Sequence, residues 1–236
     1  MPAVSSPTER FARTAERIAA RQDRRAELLA LEVRDFVGPH TDARALDVGT
    51  GAGALAFALA PLVREVVGVD PVPELLALAR ARALPNTRFV EGDGEALRFP
   101  AAEFDLSGTH RTLHHVTRPE RVVAELARVT RPGGHVLVVD QLAPDDPGEA
   151  AALHEFETTR DPSHARLLSA AELQGLFAAH GLSLVKERNE NEQRNLAAYL
   201  DLADCEGDRR ADAEGLARAD PRVRDARVGW YLLARP

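Results

Sequence analysis

The stretch Ala45-Leu-Asp-Val-Gly-Thr-Gly-Ala-Gly-Ala54 ends a short apolar run in a glycine-rich turn and then opens a helical pattern. Gly49, Gly51 and Gly53 let the backbone turn sharply and approach a ligand closely. The first amides of the following helix can meet an anionic or hydroxyl-bearing group. Taken alone, Gly49, Gly51 and Ala54 also satisfy a dinucleotide fingerprint. Asp47 tips the reading, because a carboxylate there sits badly beside a pyrophosphate but suits a cofactor carrying an ammonium and a sulfonium. Asp70 ends the next apolar run, where a carboxylate can accept both hydroxyl protons of a ribose. Its alternative is a helix cap, since Pro71 and Pro73 follow. Asp93 follows a third run and could accept a proton from an adenine amine, with Gly94 and Glu95 offering backbone groups to the ring edge; an N-cap role is compatible with this. After a fourth run comes Gly108-Thr-His-Arg-Thr-Leu-His-His115. His114 and His115 are its acid/base candidates, because imidazole titrates near neutral pH without perturbation, while adjacent histidines opening a helix also serve structure.

These residues need elements to hold them. From Ala45 to Asp140 short β-branched runs alternate with Ala/Leu-rich stretches, the pattern of a parallel sheet built from βαβ units. Strands are predicted at Arg44 to Val48, Glu65 to Val69, Arg88 to Glu91, Phe104 to Gly108 and His135 to Val139. Helices are predicted near Ala52 to Ala60, Pro73 to Ala83 and Pro119 to Val129, the last stopped by Pro132-Gly133-Gly134. Pro7 to Val37 reads as one broken helix or two, closed by Gly38-Pro39. Pro144 to Arg166 reads as a polar insertion with a helical centre, a candidate lid, followed by a helix from Ser169 to His180 that Gly181 stops. Leu182 to Arg188 and Arg227 to Ala234 alternate like strands, with a helical piece near Leu196 to Ala203 and an acidic, irregular stretch from Asp204 to Asp220 between them. The layout predicted is a helical cap at 1–40, a nucleotide-binding core at 41–141, a lid at 142–168, and completion of the sheet at 169–236 with an insertion at 192–226.

The chain is long enough, at 236 residues, for one well-filled α/β domain with appendages. A formal charge of -7 and the lack of a Lys/Arg-rich block argue against a nucleic acid partner and for a small-molecule substrate. Cys205 is the single cysteine, which rules out a disulfide or cysteine-based metal cage within one chain. Met1 to Arg10 has no apolar signal core and no run approaches the length of a membrane span, so a cytoplasmic protein without a membrane partner is expected; a homodimer is left open.

In order, Leu46-Asp-Val-Gly-Thr-Gly-Ala-Gly53, Val67-Gly-Val-Asp70, Val90-Glu-Gly-Asp-Gly-Glu-Ala-Leu-Arg-Phe-Pro100, Phe104-Asp-Leu with Leu113-His-His-Val116, and Leu126-Ala-Arg-Val-Thr-Arg-Pro-Gly-Gly134 resemble the five motifs of class I S-adenosylmethionine-dependent methyltransferases, especially the ubiquinone/menaquinone-biosynthesis-like type 11 group. The resemblance covers about Ala45 to Asp140. It implies a Rossmann-like, seven-stranded, mostly parallel sheet with an antiparallel last strand, an N-terminal helical cap and lid insertions. S-adenosyl-L-methionine is the implied cofactor and S-adenosyl-L-homocysteine the product. The cofactor-binding set is then Asp47, Gly49, Thr50, Gly51, Gly53, Asp70, Pro71, Gly92, Asp93, Gly94, Glu95, Thr109 and His110, the last two toward the methionine end. Arg111 stands where the family usually has an apolar residue, which would suit either an anionic substrate group or the surface. Phe11, Arg111, His154 and His164 are the candidate substrate contacts, and Phe11, Arg21 and Gln22 could close over the cofactor. No metal is expected, since methyl transfer is a direct displacement that needs alignment in a dry pocket. The activity implied is methyl transfer to a small, biosynthetic acceptor. The alternatives are a protein that binds the same cofactor as a cyclase or regulator, and a nicotinamide-dependent oxidoreductase. The quinone methyltransferase itself is disfavoured by the missing arginine-rich signature in the N-terminal half.

Overall fold

The computed structural model describes residues 7–236, and the first six residues of the 1–40 cap lie outside the described residues. Two N-terminal helices, α1 (Pro7–Arg13) and α2 (Ala15–Val37), meet at a break at Thr14, and Gly38 ends α2 with φ +79°. Val33, Phe36 and Val37 of α2 are buried against the sheet, and α2 packs on α3 (Ala54–Leu59).

The sheet contains β1 (His40–Val48), β2 (Val63–Asp70), β3 (Thr87–Glu91), β4 (Phe104–His110), β5 (Thr130–Leu142), β6 (Ser183–Gln193) and β7 (Asp225–Ala234), in the order β3-β2-β1-β4-β5-β7-β6. The first five strands pair in parallel, and β7 lies antiparallel to both β5 and β6. This is the seven-stranded sheet with an antiparallel last strand that the motifs implied. The apolar runs of β1, β4 and β5 are buried on both faces, as a central parallel sheet covered by helices requires. One face carries α2 and α3; the other carries α5 (Pro119–Val129) and α7 (Ala170–Ala179), the latter opened by a reciprocal Ser169/Glu172 capping box. Beyond β2, α4 (Pro73–Ala81) crosses to β3.

Four sequence expectations are corrected. The helix after the glycine turn is shorter than Ala52 to Ala60 and continues from Ala60 to Leu62 as a 3-10 turn. Pro132-Gly133-Gly134 does not separate helix from strand: β5 starts at Thr130, opposite Phe104, and bulges through these residues, where Gly134 has the Asp105 carbonyl too close to admit a Cβ. The stretch Asp204 to Asp220 is not irregular but holds α9 (Gly207–Ala219). Its buried stripe is Ala213 and Ala217, too weakly apolar to stand out beside acidic and arginine neighbours, yet small enough to seat against α6 (Pro147–Arg160). Finally, the polar residues of the expected lid turn inward. Glu157, Arg160 and Asp161 are buried, and Leu153 and Phe156 form a core with Leu200 of α8 (Leu196–Leu202) and Ala217 of α9. The segments 142–168 and 194–224 therefore build one packed subdomain over the sheet edge.

Candidate functional site

The crossover reverses direction between β1 and β4, so their carboxyl ends part and leave a crevice. A cavity of about 320 Å³ opens there, roofed by α1 and α2. The glycine turn forms its floor. Gly49 (φ +71°) and Gly51 (φ +56°) hold left-handed conformations, and the amides of Gly49 and Thr50 both donate to the Val69 carbonyl, at 2.8 and 3.0 Å. Any side chain at Gly49 would collide with Thr112, whose atoms lie 2.3 Å from the place of a Cβ.

Two acids set the electrostatics of this end. Asp47 lies under the turn, off the cavity wall; its Oδ2 accepts from the Thr50 hydroxyl at 2.7 Å and the Ala56 amide at 3.0 Å, while Oδ1 is buried with no partner. Burial pushes its carboxyl up to about 7, against the pull of those two hydrogen bonds and with the help of the Asp70 charge. Asp70 lines the cavity, accepting the Gly51 amide at 2.8 Å and the Val72 amide at 2.9 Å, and burial pushes it up to about 6. A carboxyl raised in the fold holds a proton where the unfolded chain, near about 4, has lost it. Stability from these two groups is therefore lost as the pH climbs through about 6 and about 7. A ligand that donates to the ionised carboxylates reverses that loss.

The residues present fit the adenosyl cofactor. Asp70 retains lone pairs on the wall for a diol. Gln22 reaches the glycine turn, with its Nε2 3.2 Å from where a Gly51 Cβ would stand, and its buried Oε1 has no donor among the described residues. Gln22 Oε1 is a buried acceptor without a donor on the wall beside the turn, where an ammonium would complete it, and Asp47 Oδ1 lies behind the turn with no partner. Gly94 lines the wall at a point where a Cβ would strike Val48 at 2.7 Å, and Asp93 beside it accepts the Glu95 amide at 2.8 Å.

A second group of residues faces the same space. Asp140, near the end of β5, accepts from the Leu113 and Gln141 amides at 2.7 Å each and pairs with His114 Nδ1. Burial would raise the Asp140 carboxyl, but the His114 charge and hydrogen bond, with the Gln141 amide, hold it below the usual range. Asp140 is therefore ionised. In the neutral ring the proton is fixed on Nδ1 and Nε2 keeps the lone pair. His115 contacts Ser163 at 3.2 Å and sits edge-on to Phe11 with centroids 4.8 Å apart; burial and the adjacent His114 keep it neutral. Burial and the Arg111 guanidinium push His110 down to about 3.

Of the residues marked by sequence, Phe11, Arg21, Gln22, Gly49, Gly51, Asp70, Pro71, Asp93, Gly94, His110, Arg111, His114 and His115 line the cavity. Asp47, Thr50, Gly53, Gly92, Glu95 and Thr109 do not; they shape the wall from behind. Thr109 bonds the Val48 carbonyl at 2.8 Å, Gly53 (φ +98°) leaves room for Phe57, and Glu95 pairs with Arg118 at 2.7 Å. Arg111 pairs at 2.5 Å with Glu192, a carboxylate that Arg25 also meets. His154 is exposed on α6, and His164 is buried behind His114 at a ring separation of 5.5 Å; neither reaches the wall. Among the described residues no three His, Cys, Asp or Glu side chains converge to hold a metal, and no helix is long and apolar enough to cross a membrane. Sequence reasoning missed Asp140, Tyr199, Trp230 and the Glu157–Arg194 pair. Asp140 had a signal, since it ends the apolar run Val136-Leu-Val-Val139 as Asp70 ends its own.

Comparison with known proteins agrees with this geometry. The type 11 methyltransferase domain family matches residues 46–138. YcgJ of Bacillus subtilis (strain 168), an uncharacterised methyltransferase, is 38% identical over 144 residues, covering 59% of this chain and 57% of its own. Its crystal structure superposes with a TM-score of 0.75 at 27% identity, over 88% of this chain and 98% of that one. The demethylmenaquinone methyltransferase of Thermus thermophilus is 38% identical over 122 residues, 50% of this chain and 52% of the other. The [4+2]-cyclase SpnF shares the fold, with a TM-score of 0.69 at 21% identity over 89% of this chain and 80% of that one. The chain spans about half the length of the curated relatives it matches. Residues 46–138 form a methyltransferase domain of the type 11 group, within the class I methyltransferases whose cofactor is S-adenosylmethionine.

Proposed function

We propose that the chain transfers a methyl group to a small-molecule acceptor by direct displacement, with His114 as the base that takes the acceptor's proton. The observation that carries this reading is the joining, in one cavity, of a cofactor end and an acid/base end: Gly49, Gly51, Asp70 and Asp93 on one part of the wall, and the Asp140-oriented His114 on another. S-adenosylmethionine supplies an electrophilic methyl on a sulfonium that departs as a neutral thioether. The chain's own residues do the rest. Asp70 and the glycine turn hold the nucleoside end; Asp47 locks the turn through Thr50 and Ala56; Phe11 and α2 exclude water; and His114 Nε2 accepts the proton while Asp140 bears the resulting imidazolium. The acceptor is small because the cavity is enclosed under α1 and α2.

Thermal unfolding with candidate cofactors tests this reading. S-adenosylhomocysteine at a hundredfold excess over Kd is expected to stabilise the protein by about 2.7 kcal/mol, with no shift from NAD or NADP. A shift with NAD alone contradicts it. The fold shared with the SpnF cyclase raises a second reading, in which the cofactor is held without transfer. That reading expects the same stabilisation but no methylated product with any acceptor. The paired His114 and Asp140 favour transfer.

A further inference from the structure

The arginines of the cavity wall almost all meet a carboxylate. Arg10 meets Asp161 at 2.5 Å, Arg160 meets Glu157 at 3.0 Å, and Arg25 and Arg111 share Glu192. Arg21 is the exception. It lines the wall half-buried, its guanidinium 5.9 Å from the Tyr199 ring, and no carboxylate pairs with it among the described residues. Glu32, also on the wall and without an ion pair among the described residues, stands eleven residues further along α2, about 16 Å away along the helix axis. Arg21 is therefore a cation enclosed without its own counter-charge, an arrangement that costs free energy until an anion arrives.

A second observation is independent of that count. Arg21, Arg25, Glu192, Tyr199 and Leu202 also line a second cavity of about 450 Å³ between α2 and α8, so the two spaces meet at these side chains. This second space is lined by Arg17, Arg21, Arg24, Arg25 and Arg194; Arg17 pairs with Asp204, Arg25 with Glu192 and Arg194 with Glu157, which leaves Arg21 and Arg24 as its guanidinium groups without an ion pair among the described residues, on a chain whose formal charge is -7. A basic mouth on an acidic protein draws anions toward it and concentrates them there. Inside it, Trp230, Val228 and Leu29 offer apolar wall.

We propose that Arg21 is the anchor for an anionic group of the acceptor, so that the substrate is a small organic acid: an apolar body carrying a carboxylate or a phosphate, admitted between α2 and α8. The guanidinium fork binds either oxyanion in bidentate fashion. Arg111, the residue whose type departs from the family pattern, already meets Glu192, which it shares with Arg25, whereas Arg21 meets no carboxylate among the described residues; Arg21 is therefore the anchor. The apolar body lies along Trp230 and Tyr199, and the nucleophile is left to reach His114. The proposal rests on the methyl-transfer reading, but its test is separable from it.

The test uses the full chain loaded with S-adenosylhomocysteine and follows its unfolding temperature with a panel of aromatic and branched aliphatic carboxylic acids, each paired with its neutral amide, together with phenyl phosphate. Acids that stabilise the protein are then titrated calorimetrically. At least one acid or the phosphate ester is expected to bind, with its neutral partner binding tenfold or more weakly. Arg21→Ala is expected to raise the Kd of that acid about tenfold or more, Arg21→Lys to recover part of the loss, and both to leave S-adenosylhomocysteine affinity within twofold. Response to the carboxylates or to phenyl phosphate tells which oxyanion the site takes. Amides that bind as well as acids, an Arg21→Ala protein with undiminished acid affinity, or a panel in which no anion stabilises the loaded protein would overturn the proposal. Failure of the protein to load S-adenosylhomocysteine at all overturns the methyl-transfer reading instead.

Discussion

Replacing His114 with alanine is expected to lower kcat by about 10²–10⁴-fold on an alcohol or phenol acceptor, the usual contribution of one positioned base. The reason lies in the pairing with Asp140. A carboxylate that accepts two backbone amides is fixed in place before it meets the imidazole, and it holds the ring in the one tautomer whose Nε2 can take a proton. The loss should shrink steadily across acceptors of rising acidity, because a pre-ionised nucleophile needs no base. Steady-state rates over such a series measure it. A loss of the same size for every acceptor would show that His114 only positions the substrate. Asp140→Asn is a poorer probe, since both carboxylate oxygens accept backbone N–H groups and an amide nitrogen at either place leaves a donor facing a donor.

The largest effect on stability is expected at Glu157. Its carboxylate is fully buried and accepts from Arg194 at 2.7 Å, the Tyr199 hydroxyl at 2.9 Å, Arg160 at 3.0 Å and Gln141 at 3.1 Å. Burial alone would raise it, but the Arg160 and Arg194 charges hold it far below the ordinary carboxylate range. Its stabilisation is thus complete above the unfolded pKa and is lost only as the pH falls through that depressed value. Glu157→Ala strips the buried Arg194 guanidinium of its ion-pair partner and leaves Arg160 only the Asp161 carboxylate at 3.6 Å, which typically costs about 3–5 kcal/mol. For a chain of this length that is a fall in Tm of roughly 6–20 °C. Glu155→Ala, exposed two residues earlier on the same helix, is the control and is expected to change stability by no more than about 0.5 kcal/mol. Equal melting temperatures for the two variants would show that the network contributes nothing.

What was legible in the sequence follows from how local each feature is. The glycine turn, Asp70 and Asp93 are written in contiguous residues, because a tight turn and a strand-end carboxylate depend only on their neighbours in the chain. The parallel sheet followed from the same runs. The acceptor end was not legible, since Glu157, Arg194 and Tyr199 are 37 and 42 residues apart and meet only when α6 and α8 pack. Arg21 is marked in the sequence only as a residue that could close over the cofactor, and its place beside Tyr199 is set by packing between α2 and α8. The inward turn of the polar residues of α6 was equally hidden: a buried ion pair and a solvated one have the same composition, and only the partner helix distinguishes them. His164 was marked as a substrate contact from its type, yet the backbone places it one layer behind His114.

The central claim is that the cleft between β1 and β4 holds the adenosyl cofactor through Asp70 and the glycine turn. Calorimetric titration of S-adenosylhomocysteine into wild type and Asp70→Ala, from pH 5.5 to 7.5, tests it most directly. Because Asp70 sits at about 6 and Asp47 at about 7, affinity in wild type should rise several-fold as the pH increases, with proton release on binding. Asp70→Ala should bind at least tenfold more weakly when measured well below its own melting transition, which loss of the acceptor for the Gly51 and Val72 amides is expected to lower. Undiminished affinity in Asp70→Ala, or binding of NAD in place of S-adenosylhomocysteine, would contradict the account.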